Sequence, residues 1–140
     1  MSAATFSGLI DLAAAGLGGR VLGASDEFFA EAANLLQSGR AVFVDGKFTE
    51  RGKWMDGWES RRKRVPGHDW CVVRLGLPGR IRGFEVDTNH FLGNYPEHCS
   101  VEACTLESEP TDWASAPWEQ LVPISELEGG TQHYYPVAST

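Results

Sequence analysis

The sequence predicts an all-β protein, an antiparallel β-sandwich, on three observations. Short apolar and β-branched runs recur along the chain, Gly, Pro and Asn clusters separate them, and helical periodicity is scarce. The strongest signal lies between Gly52 and Arg82, which holds three of the five tryptophans and eight of the twelve Lys and Arg residues. Within it Trp70-Cys71-Val72-Val73-Arg74-Leu75 is a β-branched run, Gly76-Leu77-Pro78-Gly79 has turn chemistry, and Ile81 to Thr88 resumes as a second run. The expectation is a hairpin of residues 70–75 against 81–88, with Val72, Leu75, Phe84 and Val86 in the core.

The other elements follow in order. Residues 1–19 are small and Gly-rich and read as a lead-in, ordered in part by docking of Leu9, Ile10 and Leu12. Arg20 to Ala24 has the composition of a short strand, and Ser25-Asp26-Glu27 offers an N-cap and acids for one or two helical turns through Leu36, closed by Gly39. Arg40 to Lys53 reads as an irregular loop interrupted by Ala41-Val42-Phe43-Val44. Downstream, Arg82, Phe84, Val86 and Thr88 alternate with polar residues at the period of a half-buried strand. Ser100 to Leu106, Trp118 to Ile124 and Gln132 to Val137 are further strand candidates, with a polar loop over Glu107 to Pro117 and a turn at Gly129-Gly130.

At 140 residues the chain is one domain by length, and no apolar run approaches a bilayer span. The N-terminus lacks the pattern of a secretory signal, and Cys71, Cys99 and Cys104 form no CxxC pair, so the expected setting is cytoplasmic with reduced thiols. The net charge of −7 argues against nucleic-acid binding, and no feature suggests a membrane partner. Charge is also segregated: all twelve Lys and Arg lie at or before Arg82, and ten acidic residues but no basic one follow Gly83. Such asymmetry suits an anion site on one side, or charged faces that pair between subunits.

Candidate chemistry gathers at the strand ends. His68-Asp69 precede the first hairpin strand, Asp87 and His90 follow the second, and His98 and Glu102 flank the next. Imidazoles and carboxylates at one rim could serve as general acid and base or hold a divalent metal, although the spacing matches no established ligand motif. The plainer reading is that Asp87 and Asn89 cap a turn and His68 is a loop residue. The run Glu59-Ser60-Arg61-Arg62-Lys63-Arg64 suits an anion, with a solvated loop as its plainer counterpart. Trp54 and Trp58 read as core plugs or a hydrophobic wall, and Cys71 as a buried, inert thiol.

Five blocks carry a family resemblance. Leu17 to Leu22, Ala24 to Phe29, Gly52 to Glu59, Gly67 to Trp70 and Asp87 to Pro96 together resemble allantoicase, in the family's order and over most of the chain. The resemblance implies a jelly-roll β-sandwich similar to galactose-binding and discoidin-type domains, lacking the closing strands. It sets residues 20–140 as an allantoicase repeat, the first of two in the family's usual chain, incomplete at the C-terminus. An unpaired sheet edge and self-association are then expected.

The activity implied is hydrolysis of allantoate to ureidoglycolate and urea in allantoin and purine degradation. The alternatives are a non-catalytic jelly-roll module for ligand binding or assembly, or an inactive fragment of the two-repeat enzyme. The implied partners are allantoate, a second repeat and further subunits of a homo-oligomer. Chemistry placed on the family's blocks gives His68, Asp69, Asp87 and His90 as catalytic candidates. Glu59, Arg61, Arg74 and Asn94 are the substrate-binding candidates: a cation for the carboxylate, and acceptors for the ureido N–H groups. The cofactor is left unknown, a divalent metal being compatible with these groups and not implied by the family.

Overall fold

The central hairpin does not form. In the computed structural model, which describes residues 6, 8–37, 39, 42, 44, 46–50, 52, 53, 56–61 and 63–137, eight strands pair as four two-stranded antiparallel ladders. They are β1 (Arg20–Ala24), β2 (Phe48–Thr49), β3 (Gly52–Lys53), β4 (Cys71–Arg74), β5 (Gly83–Asp87), β6 (His98–Ala103), β7 (Glu119–Glu126) and β8 (Gln132–Pro136). Strand β4 pairs with β1, and β5 pairs with β8. The described residues include three 3-10 turns, so the all-β class stands. By contact the chain divides into two units, Leu9–Arg80 and Ile81–Thr140 with Met1–Gly8. Ala41, Phe43, Trp54 and Arg62, named above, lie outside the described residues.

In the Leu9–Arg80 unit, the β1–β4 ladder runs from Arg20 opposite Arg74 to Ala24 opposite Cys71, with an irregularity between Val21 and Gly23. It continues one residue further, because the Ser25 N–H donates to the Trp70 carbonyl at 2.8 Å. The residues expected to turn the hairpin do something else. Gly76 N–H donates to the Leu12 carbonyl at 2.9 Å, and a β-carbon at Gly76 would run into the Leu17 carbonyl. Glycine is needed there for backbone to pass backbone. Strand β4 has β1 as its partner and β5 has β8, so residues 70–75 and 81–88 are not paired with each other.

In the lead-in, docking holds for Leu12 and not for Leu9 or Ile10. Leu9 and Ile10 are exposed, whereas Leu12 packs beside Gly79, Ala14 is buried, and Ala15–Leu17 forms a 3-10 turn ended by Gly18 at φ 99°. The helix expected from Ser25 starts only at Ala32 and ends at Leu36 as a 3-10 turn that buries Ala32 and Leu36. Glu27, not a cap residue, supplies its leading acceptor: the Ala32 N–H donates to Glu27 Oε2 at 2.7 Å. The stretch expected as irregular loop contains the small β2–β3 hairpin. Val72 is in the core as expected, but Leu75, one residue past the end of β4, is exposed.

In the other unit, β5 and β8 pair without a break from Gly83 opposite Pro136 to Asp87 opposite Gln132. Phe84 and Val86 on β5 are half-buried. Strand β6 pairs with β7, with irregularities around Val101. Among the described residues here, Val122, Phe91, Leu127 and Thr88 are buried, the last being a polar side chain. The Phe6 ring packs against Gly83 and lies 6.1 Å from Tyr134. The polar loop before β7 holds the 3-10 turn Trp113–Ser115, capped by Asp112, whose Oδ1 accepts from the Ala114 N–H at 3.0 Å.

Candidate functional site

Two polar clusters hold the residues with chemistry, one in each unit. In the Leu9–Arg80 unit the bend after β1 brings Asp26 to the segment around Arg61. Asp26 Oδ2 accepts from Arg61 Nε at 2.7 Å, while Oδ1 accepts from the N–H groups of Phe28 at 2.9 Å and Arg61 at 3.2 Å. The Phe28 N–H and then the Arg61 side chain hold the Asp26 carboxyl down at about 2, against a smaller opposing effect of burial. The Trp58 indole N–H donates to the Asp26 carbonyl at 2.7 Å, so this half-buried tryptophan acts as a peg for the same bend.

The guanidinium of Arg61 is thereby oriented without being consumed. It lies 5.4 Å from the Phe28 ring centroid, and its side chain is 65% exposed against 13% for Asp26. Its ion pair with Asp26 runs through Nε and the side chain stays largely exposed, and a guanidinium is a group that matches a carboxylate.

Asp69 is tied on both sides. Its Oδ1 accepts from the Ser25 hydroxyl at 2.8 Å and its Oδ2 from the Ser60 hydroxyl at 3.0 Å, with Lys63 Nζ 3.6 Å away. Ser25 Oγ in turn accepts from the Trp70 N–H at 2.9 Å. This carboxylate therefore fastens the 25, 60 and 70 segments together. Glu59 lies on that seam too, exchanging backbone hydrogen bonds with Ala30 at 3.0 and 3.1 Å. His68 is exposed on the loop before β4, and Arg74 is exposed at the end of β4, opposite Arg20.

The second cluster begins where β5 ends. Asp87 Oδ1 accepts from the Asn89 N–H at 2.7 Å and from Gln132 Nε2 at 3.2 Å, the turn-capping role that its place in the sequence suggested. The Phe91 N–H donates to the Thr88 carbonyl at 2.9 Å, closing a β-turn over Asn89 and His90. His90 stands third in that turn at φ 72°, the one non-glycine among the described residues with positive φ. Its Nε2 is 3.4 Å from Asn89 Nδ2. Asn94 is exposed further along the same loop.

The Leu9–Arg80 unit thus contains Glu59, Arg61, His68, Asp69 and Arg74, and the other unit Asp87, His90 and Asn94. Within the first, Arg61 and Asp69 belong to one hydrogen-bonded seam through the neighbouring residues Ser25 and Asp26. Among the described residues no three His, Cys, Asp or Glu side chains converge as metal ligands. Sequence reading missed Asp26, Ser60, Thr88 and His133. The Ser25-Asp26 pair was visible as a capping signal, but its partner lies 35 residues away, and no local pattern announces that distance.

An all-β chain with these clusters resembles one known group in both sequence and shape. A model of the allantoicase repeat matches residues 10–140. Proteins named probable allantoicase are 46% identical over 135 residues in Pseudomonas aeruginosa, covering 96% of this chain, and 48% identical over 128 residues in Rhizobium meliloti, covering 91%. The crystal structure of allantoicase from Saccharomyces cerevisiae superposes with a TM-score of 0.78 at 31% identity, over 91% of this chain and 38% of that one. A second allantoicase structure gives 0.79 at 32% identity with the same coverage. The chain belongs to the allantoicase family. It spans about 40% of the length of the two bacterial relatives, 40% of one and 37% of the other.

Proposed function

We propose that this chain supplies an allantoate-hydrolysing repeat of an allantoicase, releasing urea and leaving ureidoglycolate. The observation that carries the reading is the family match across residues 10–140. Support comes from the Asp26–Arg61 pair, which anchors a largely exposed guanidinium, a group suited to a small carboxylate. In the reaction a water molecule replaces one ureido arm on the central carbon of allantoate. The carbon–nitrogen bond breaks, the nitrogen leaves with a proton as urea, and the hydroxyl remains on carbon.

The roles follow by chemistry. Each unit is assigned its own set: in Leu9–Arg80, Arg61 or Arg74 suits a carboxylate, Glu59 accepts from ureido N–H groups and His68 with Asp69 manages protons, while in the other unit Asp87 and Asn94 accept from ureido N–H groups and His90 manages protons. We further assign the chain to the cytoplasm, as its three free thiols suit, and to a homo-oligomeric enzyme with a second repeat. The antiparallel ladders suit a jelly-roll sandwich, and none of the helices among the described residues is long and apolar enough to cross a membrane. The test is urea release from allantoate by the chain, alone and joined to a second repeat. Release that saturates with allantoate is expected. A folded protein that binds allantoate without releasing urea in either form belongs instead with the non-catalytic modules.

A further inference from the structure

Thr88 is a polar residue at 5% exposure, immediately between Asp87 and the turn that carries His90. Its hydroxyl donates to the Glu128 carbonyl and accepts from the Thr131 N–H at 3.1 Å. Its backbone N–H donates to the Thr131 carbonyl at 2.9 Å, and its own carbonyl accepts from the N–H groups of Phe91 and of Gly130, the latter at 3.1 Å. One residue therefore joins two turns, 88–91 and 128–131. The second turn is closely fitted: Gly130 sits at φ 59°, and a β-carbon on Gly129 would press on the carbonyls of Phe91 and Leu92.

His133 holds the same joint from the other side. Its Nε2 accepts from the Glu128 N–H at 2.9 Å, so its proton resides on Nδ1, which donates to the Val86 carbonyl at 2.9 Å. The imidazole is thereby used as a neutral brace between β5 and the 128–131 turn. His90, in contrast, is kept at φ 72°, a conformation that costs a non-glycine residue energy and persists only where its surroundings impose it.

We propose that Thr88, braced by His133, is the positioning residue that imposes the His90 conformation and so aims its imidazole. This rests on the reading above in which His90 manages protons during allantoate hydrolysis. Thr88 itself touches no substrate. The buried hydroxyl is the active part, since valine has the same shape without the hydrogen bonds.

The experiment compares urea release by the full chain with that of Thr88→Val, Thr88→Ser, His90→Ala and the Thr88→Val/His90→Ala double variant. Thr88→Val is expected to lower kcat about tenfold or more with KM within about twofold, and Thr88→Ser to restore most of the loss. The double variant should be no slower than His90→Ala, because a residue that acts only through His90 has nothing left to aim. Losses that multiply in the double variant, or a serine variant as slow as the valine, would overturn the proposal. If His90→Ala keeps normal turnover, or the chain releases no urea, it is the functional reading that fails. The crystal structure of Thr88→Val then decides the positioning claim: His90 leaving positive φ upholds it, and His90 unmoved overturns it. If Thr88→Val does not fold, the same structural comparison on His133→Asn, which removes the other brace, decides in the same way.

Discussion

The two units lock their polar clusters with different chemistry. Around Asp26 and Asp69, full charges do the fastening: a carboxylate on a guanidinium, and a carboxylate between two hydroxyls and an ammonium. Around Thr88, neutral groups do it: a buried hydroxyl, backbone N–H groups and a neutral imidazole. The difference follows from the segregation of charge along the chain, since no Lys or Arg occurs after Arg82 to partner a carboxylate. A charged seam responds to pH and salt and leaves Arg61 free to meet an anion. A joint of uncharged groups gives salt nothing to screen and can hold a backbone angle under strain.

The largest difference should appear at glycines. Gly76→Ala sets a methyl group against the Leu17 carbonyl, a backbone atom that cannot step aside, whereas the atoms nearest a methyl group at Gly83 belong to the Phe6 ring, a side chain rather than backbone. Urea denaturation should show losses on the order of 3–5 kcal/mol for the first and about 1–2 kcal/mol for the second. Equal losses would mean that the crossing of the 17–19 segment over Gly76 is looser than described.

Next in size is Asp69→Ala, which strips the acceptor from the Ser25 and Ser60 hydroxyls at once. A destabilisation of about 1–2 kcal/mol is expected, and Asp69→Asn should recover part of it by keeping an oxygen. Full stability in the alanine variant would show that the seam is held by its backbone bonds alone.

The pH response sharpens the contrast further. Asp26 is held at about 2 in the folded chain against an ordinary 3.8, chiefly by the Phe28 N–H and the Arg61 side chain. Because the folded value is the lower one, the stabilisation it gives is complete above about pH 4 and is lost as pH falls toward 2. Asp26→Asn should therefore flatten the part of the acid-stability curve between those values, measured by thermal melts. An unchanged acid limb would assign it to other carboxylates.

The smallest effect concerns thiols. Burial, and secondarily the Glu27 charge, pushes Cys71 up to about 11, so it should be alkylated most slowly of the three cysteines at pH 8. Mass spectrometry of a short iodoacetamide time course reads this directly, and fast labelling at Cys71 would indicate an open β1–β4 ladder.

How much of this was legible in the sequence depends on distance along the chain. Cys71–Arg74, Gly83–Asp87 and Gln132–Pro136 were readable because alternation and β-branching mark a strand from its own residues. Their partners were not, since alternation says which face is buried and not which strand lies alongside. The Gly76-Leu77-Pro78-Gly79 stretch has the composition of a turn, yet its first glycine serves a backbone crossing with Leu12 and Leu17. The same limit applies to the candidate site. Asp87 capping Asn89 spans two residues and was visible, whereas Ser25 to Asp69 spans 44 and Thr88 to Thr131 spans 43.

The central claim is that the turn after β5 carries proton transfer in allantoate hydrolysis. It is tested most directly by the turnover number for urea release in His90→Ala and Asp87→Ala, with melting curves recorded to show that the fold is kept. The account predicts a fall of roughly a hundredfold or more for His90→Ala, the scale for losing a positioned acid–base group, and a comparable loss for Asp87→Ala. Near-normal urea release from both folded variants would contradict it and leave that turn with a structural role only.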